Sequence, residues 1–104
     1  MSNYTHLLNL AQEAAPPATG ILSRTLYQDE QIKAVLFGFA AGEELSEHTA
    51  AKPALLFFVA GEGTVGLGSD RKPAQAGTFV HMTAGLTHSI QAATPLVMLL
   101  VLLK

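Results

Sequence analysis

Apolar and polar residues alternate along short segments of this chain, and the alternation begins at Ile21. A period of two points successive side chains to opposite faces, as in a half-buried β-strand. Polar or glycine-containing stretches separate the segments, and no helical heptad pattern is sustained. The predicted strands are residues 21–28, 31–40, 54–60, 64–67, 72–76, 78–82, 89–92 and 96–103.

The residues within and between these segments indicate how the strands are arranged. A polar Asp29-Glu30 turn separates the first two segments, which is typical of a β-hairpin. Pro73 has no N–H to donate, so its strand is expected at a sheet edge. Residues 96–103 are apolar on both faces, so both faces should be covered. The pattern predicts an all-β fold, a single antiparallel sandwich or barrel.

Two segments are expected to lie outside the strands. Residues 42–46 are polar and predict a loop. Residues 1–20 predict an arm, because Pro16-Pro17 interrupts any regular helix. The start of the chain lacks a basic stretch followed by an apolar core, so no secretory signal is expected. A length of 104 residues suits one domain.

Composition adds an expectation about partners. Hydrophobic residues make up 49% of the chain and charged residues 13%, well below the usual quarter. Such an apolar chain is expected to cover some surface by forming a homodimer. The alternative is a tightly filled barrel with an alanine-rich surface.

Charge and residue types exclude several functions. The net charge is −2 and no Lys/Arg cluster occurs, so we expect no nucleic-acid partner and no membrane partner. Without cysteine, the chain has no disulfide, thiolate metal site or cysteine nucleophile. The longest apolar run, residues 96–103, is too short to span a bilayer as a helix. A cytoplasmic location is the expectation.

The four histidines, His6, His48, His81 and His88, are the main candidates for chemistry. Imidazole is a common transition-metal ligand and titrates near neutral pH. His6 stands on the expected arm and is assigned no role beyond a surface residue. His48 follows Gly42 by six positions, and Gly61 follows thirteen positions later.

A second group of glycines precedes His88, and here the sequence resembles the cupin superfamily. Gly77, Gly85 and His88 stand at the spacing of the second cupin motif, and Gly42, His48 and Gly61 at that of the first. The resemblance covers about residues 32–103. It implies a small single-domain cupin of the RmlC-like type, with the fold of a single antiparallel jelly-roll β-barrel. It also implies that His48 and His88 border one pocket, and that residues 1–20 contribute to the expected dimer interface.

The chain departs from the motifs at positions that matter for metal binding. The resemblance implies a divalent ion such as Mn, Fe, Ni or Zn, held by three histidines and a glutamate. Ala50 and Ala54 occupy two of those four positions, and alanine has no donor atom. Two imidazoles alone make a weak site, so we expect no tightly bound metal.

Strand alternation extends the candidate pocket beyond the two histidines. Counting from the motif positions, Leu56 and Phe58 face inward and, with Phe79, line an apolar ligand pocket. His81 lies on the same face of its strand as Phe79, so His81 is expected to point into the barrel as a third ligand-binding or metal-binding imidazole.

Three functions remain open at this point. The first is a small-molecule-binding protein of unassigned activity, with His48 and His88 orienting a polar group of the ligand. The second, implied by the resemblance, is a divalent-metal-dependent enzyme of the dioxygenase, decarboxylase or isomerase type. The third is a non-catalytic, dimeric structural or interaction domain. Fold alone does not choose among them.

Overall fold

Residues 3–104, which a computed structural model describes, form nine strands and one short helix. Every strand pair in both sheets is antiparallel. The all-β prediction is therefore confirmed. The elements are α1 (Leu10–Glu13), β1 (Ile21–Gln28), β2 (Ile32–Phe39), β3 (Glu44–His48), β4 (Ala54–Ala60), β5 (Glu62–Leu67), β6 (Asp70–Gln75), β7 (Phe79–Met82), β8 (His88–Ala92) and β9 (Leu96–Leu103).

The strands divide into two sheets with jelly-roll topology. The first sheet has the order β1-β2-β9-β4-β7, and the second has the order β3-β8-β5-β6. Strands β2 to β9 contribute four strands to each sheet, and β1 is added beside β2 as an extra edge strand. The β1–β2 turn forms where predicted, because Asp29 accepts hydrogen bonds from the backbone N–H groups of Gln31 (2.7 Å) and Ile32 (2.9 Å).

The core lies between the two sheets and follows from the alternation of side chains. Leu56, Phe58 and Met98 of the first sheet are at most 1% exposed, as are Val65 and Ile90 of the second. Fully burying side chains of this kind stabilises the fold by roughly 1.5–3 kcal/mol each. The interior is therefore filled with side chains where the two sheets face each other.

Two of the strand predictions have clear outcomes. The predicted edge position of the Pro73 strand is confirmed, because β6 lies at the edge of the second sheet. The prediction of a loop over residues 42–46 is wrong over its second half, because β3 begins at Glu44. Of the β3 side chains, Leu45 packs against the core and the others are exposed, so β3 lacks a strong alternating pattern.

The N-terminal segment packs against the outer face of the first sheet of its own chain. Asn9 caps the single turn of α1 by accepting a hydrogen bond from the Ala11 N–H (3.1 Å). Ala14 is 1% exposed and packs with Leu36 and Val97. The arm prediction covers residues 1–20, of which 1 and 2 lie outside the described residues. No helix in the described part of the chain has the length and apolar character to cross a membrane.

The close approach of this segment depends on Gly38 in β2. A Cβ at Gly38 would stand 2.1 Å from the backbone oxygen of Ala14. Backbone cannot move aside as a flexible side chain does. Gly38 therefore sets how closely the arm approaches the sheet.

The other half of this outer face carries apolar side chains that the N-terminal segment does not cover. Phe57 and Phe79 are 48% and 55% exposed, and their ring centroids are 5.9 Å apart. The half-buried Leu55 and Val101 pair across the neighbouring strands. We call these four residues the outer apolar patch. Contiguous exposed apolar surface of this kind is typical of protein interaction sites.

We expect Gly38→Ala to destabilise the protein by about 1–3 kcal/mol, the usual cost of overpacking a filled space. Urea denaturation of the wild type and the variant measures this difference. The same substitution in a chain lacking residues 1–19 should cost much less, because Ala14 is then absent. An equal cost in both backgrounds would show that the arm is not what constrains position 38.

We also expect the chain to form a homodimer through the outer apolar patch, and sedimentation at micromolar concentration tests this. Phe57→Ser and Phe79→Ser should shift the protein toward monomer, because each removes exposed apolar area without opening the core. Leu22→Ser is the matched control, since Leu22 is 47% exposed on β1, at the opposite edge of the same sheet. A wild-type monomer at this concentration would contradict the prediction.

Candidate functional site

Pairing of β3 with β8 brings His48 and His88 together, although forty positions separate them in the sequence. The two residues are register partners in this ladder, after an irregularity that follows Leu45. Their ring centroids lie 4.0 Å apart, with the ring planes inclined by 60°. The prediction that the two imidazoles approach each other is confirmed.

Both imidazoles are oriented by backbone carbonyl groups two residues earlier in the chain. Nδ1 of His48 lies 2.9 Å from the Ser46 oxygen, and Nδ1 of His88 lies 3.0 Å from the Leu86 oxygen. A carbonyl oxygen only accepts hydrogen bonds, so each Nδ1 must carry the proton and donate it. In a neutral ring, Nε2 then has a free lone pair.

The two histidines differ in their exposure to solvent. His88 is 6% exposed, whereas His48 is exposed at the open end of the ladder. Burial disfavours the imidazolium and lowers the pKa of His88; the hydrogen bond to Leu86 opposes this, and the nearby His48 adds to the lowering. His88 is thus held as a neutral imidazole at neutral pH. Solvent therefore reaches this pair from the side of His48.

The predicted position of His81 is wrong, and so is that of Phe79. Both residues are exposed on β7, while Val80 and Met82 between and beside them are buried in the core. Side chains alternate along β7 as predicted, but the face that was predicted to point inward is the outer face. Val80 and Met82 fill the interior beside β4, which leaves Phe79 to pack against Phe57 on the outside.

Leu56 and Phe58 do face inward, but as parts of the core. They are 1% and 0% exposed and pack among the other residues of the main cluster. An apolar pocket lined by Leu56, Phe58 and Phe79 is therefore not formed. The interior beside the histidine pair has no room for the body of a ligand at these positions.

The donor set does not fit the metal site that the resemblance implies. Ala54 is buried in the core and Ala50 is half-buried, so neither of these two motif positions supplies a donor atom. Within residues 3–104, no group of three or more His, Cys, Asp or Glu side chains is arranged to hold a metal ion. Two imidazoles fall short of the three or more protein ligands typical of stable transition-metal sites.

Two cavities lie near this end of the barrel. One, of about 200 Å³, has a lining that includes Lys33, Ala50, Ala51, Leu102 and Leu103. The other, of about 160 Å³, is polar and includes Glu47, Arg71, His88 and Ser89 in its lining.

The polar cavity is not among the sites predicted from the sequence. A signal was nevertheless present, because strand alternation places Glu47 and Ser89 opposite His48 and His88.

The lowered pKa of His88 predicts how stability depends on pH. In the unfolded chain His88 titrates near its ordinary pKa of 6.5, and in the folded chain it titrates below that value. The unfolded state therefore binds more protons between the two pKa values, so stability is fully present above pH 6.5 and falls as pH drops toward the folded pKa. Urea midpoints measured from about pH 8 to about pH 5 report this loss.

A matched pair of variants assigns the pH dependence to His88. His88→Gln should flatten the decline in the urea midpoint below pH 6.5. His81→Gln should leave the decline unchanged, because His81 is exposed on the outer face. If the urea midpoint of His88→Gln declines below pH 6.5 as steeply as that of the wild type, groups other than His88 cause the loss of stability in acid.

The structure resembles solved proteins over nearly its whole length. A conserved protein of unknown function from Streptococcus pyogenes has a TM-score of 0.87 at 26% identity, with 99% of this chain and 90% of that chain covered. A cupin superfamily protein from Desulfitobacterium hafniense has a TM-score of 0.88 at 24% identity, covering 94% and 90%. A cupin 2 conserved barrel domain protein from Leptotrichia buccalis has a TM-score of 0.85 at 26% identity, covering 93% of this chain and 47% of that one.

No protein-family model and no curated protein matches the sequence. The assignment therefore rests on the antiparallel jelly roll, on the motif glycines and histidines, and on the solved structures that share this architecture. This chain has the cupin fold, of the RmlC-like type, with an incomplete set of the metal ligands that the family's motifs provide.

Proposed function

We propose that this protein is a small-molecule-binding cupin in which His48 and His88 together hold a polar group of the ligand. The observation that carries the proposal is the fixed orientation of the two rings. Each Nδ1 donates to a backbone carbonyl, so two Nε2 atoms on adjacent rings remain for a partner. A neutral imidazole with a free Nε2 accepts a hydrogen bond from a hydroxyl, phenol or amide N–H.

The chemistry of the pair favours a neutral hydrogen-bond donor over an anion. His88 is neutral because burial lowers its pKa, so it offers a lone pair rather than a positive charge. The ligand's polar group would approach through the exposed His48, and its apolar part would lie outside the filled core. The apolar cavity beside Ala50, two residues along the chain from His48, offers about 200 Å³ for such a group.

The metal-dependent enzyme is the main rival, and one feature of the site favours it. Histidine ligands of metal ions commonly donate their second ring nitrogen to a backbone carbonyl, as both of these residues do. The shortage of donor atoms at Ala50 and Ala54 weighs against it. Elemental analysis of protein purified without a histidine tag separates the two: a stoichiometric metal would overturn the proposal in favour of the enzyme.

Ligand-observed NMR with a library of small phenols, alcohols and amides tests the binding function directly. Compounds that bind the wild type should lose at least tenfold in affinity with His48→Ala or His88→Ala, since each substitution removes an Nε2 acceptor. His81→Ala should bind them as the wild type does, because His81 lies on the outer face. Compounds that bind all four proteins equally would place the ligand elsewhere.

A further inference from the structure

A polar cleft lies on the outer face of the second sheet, behind the histidine pair. Glu47 and Ser89 line it, and each adjoins one of the paired histidines in sequence. Since successive side chains of a strand point to opposite faces, the Glu47 and Ser89 side chains point away from the rings of His48 and His88. His88 nevertheless also lines the cleft. The cleft has a volume of about 160 Å³.

Gly66 forms the floor of this cleft, because its missing side chain leaves the space open. A Cβ at Gly66 would stand 2.4 Å from the Ser89 hydroxyl oxygen and 3.8 Å from Nη1 of Arg71. Gly66 is the register partner of both residues, with Ser89 on β8 and Arg71 on β6. The Ser89 hydroxyl and the Arg71 guanidinium, both hydrogen-bond donors, therefore lie beside the same open space above Gly66.

These two groups have no protein partner for their side chains. Over residues 3–104, neither Ser89 nor Arg71 takes part in a side-chain hydrogen bond or an ion pair. Ser89 is nevertheless only 8% exposed. Nearly all buried polar groups find a hydrogen-bond partner. Among the described residues no fully buried side-chain oxygen or nitrogen lacks a partner, so the Ser89 hydroxyl oxygen is reached by solvent. It is therefore free to donate a hydrogen bond to a molecule in the cleft.

The charges around the cleft specify what kind of molecule fits. Arg71 is its one cationic side chain, and a guanidinium pairs best with the two oxygens of a carboxylate. Glu47 and Asp70 also line the cleft, and carboxylates accept hydrogen bonds from ammonium or hydroxyl groups. Together these two carboxylates oppose an anion of high charge, such as phosphate.

The volume limits the size of the ligand. Drug-sized molecules occupy pockets of roughly 300–1,000 Å³, well above this cleft. Only a molecule with a few non-hydrogen atoms would be enclosed. A zwitterion of the size of a small amino acid satisfies both the volume and the mixed charge.

We propose that this cleft is a second binding site, which takes a small zwitterion bearing a carboxylate and an ammonium group. The carboxylate pairs with Arg71 and accepts a hydrogen bond from Ser89. The ammonium group faces Glu47 and Asp70. The site differs from the one under the proposed function, because Ser89 and Arg71 hold the ligand rather than the Nε2 atoms of the histidine pair, although His88 also lines the cleft.

NMR titration of the ¹⁵N-labelled protein with glycine as the probe tests this site. Glycine should shift the backbone amides of Gly66, Arg71 and Ser89 in a saturable way at millimolar concentration. Acetate lacks the ammonium group and should bind more weakly, and inorganic phosphate should bind more weakly still. Acetate or phosphate binding as tightly as glycine would overturn the zwitterion site and leave a simple anion site.

Three variants test whether glycine binds in the cleft or responds only to the overall charge of the protein. Arg71→Gln should lower glycine affinity at least tenfold, and Ser89→Ala should lower it by a smaller factor. Lys72→Gln is the matched control, because Lys72 is an exposed cation on the same strand that does not line the cleft. The dispersed amide spectrum of each variant shows whether it is folded.

The remaining outcomes are decisive as well. No saturable shift with glycine in the folded wild type would refute the site, and so would equal losses in Arg71→Gln and Lys72→Gln. His48→Ala should keep its glycine affinity. If that variant lost it, glycine would be bound at the histidine pair rather than in the cleft.

Discussion

The packing of two alternating sheet faces against each other is the interaction on which the rest of this structure depends. Phe58 and Met98 are register partners in the first sheet, and Val65 and Ile90 are register partners in the second. All four are buried in one cluster. Once these side chains face inward, the period of two assigns a face to their neighbours in each strand. The histidine pair, the outer apolar patch and the polar cleft all follow from that assignment.

The same packing limits what the histidine pair can do. Ala54 lies in the core at 1% exposure, in the position where the cupin motif has an acidic ligand. A carboxylate buried there without a cation would be strongly destabilising. Alanine removes that cost and also removes the donor. The remaining pair is therefore suited to hydrogen bonding through its Nε2 atoms, and burial lowers the pKa of His88.

The outer surfaces of the two sheets have different character. The first sheet carries the N-terminal segment over Gly38 and the outer apolar patch beside it. The second sheet carries polar side chains around Gly66. An apolar face suits a second protein surface, and a small polar cleft suits a small charged molecule. One barrel thus presents three surfaces of different chemical character, which is consistent with the many activities that a single fold supports.

The alternation of residue types along the chain by itself determined the all-β class and most of the strands, and three of these have the predicted ends, at 21–28, 54–60 and 96–103. The motif spacing also predicted that His48 and His88 meet. The sequence does not predict β3, because Leu45 is its only side chain that packs against the core. The strand forms because its backbone pairs with β8.

The faces of β7 and the polar cleft were decided only by the tertiary structure. A period of two separates Phe79 and His81 from Val80 and Met82, but it does not say which pair is inside. Contact of Val80 and Met82 with the core made that choice and placed His81 outside. Likewise, Glu47, Gly66, Arg71 and Ser89 are scattered in the sequence. They meet because four different strands, β3, β5, β6 and β8, bring them to one outer face, and sheet pairing over such distances has no local signal.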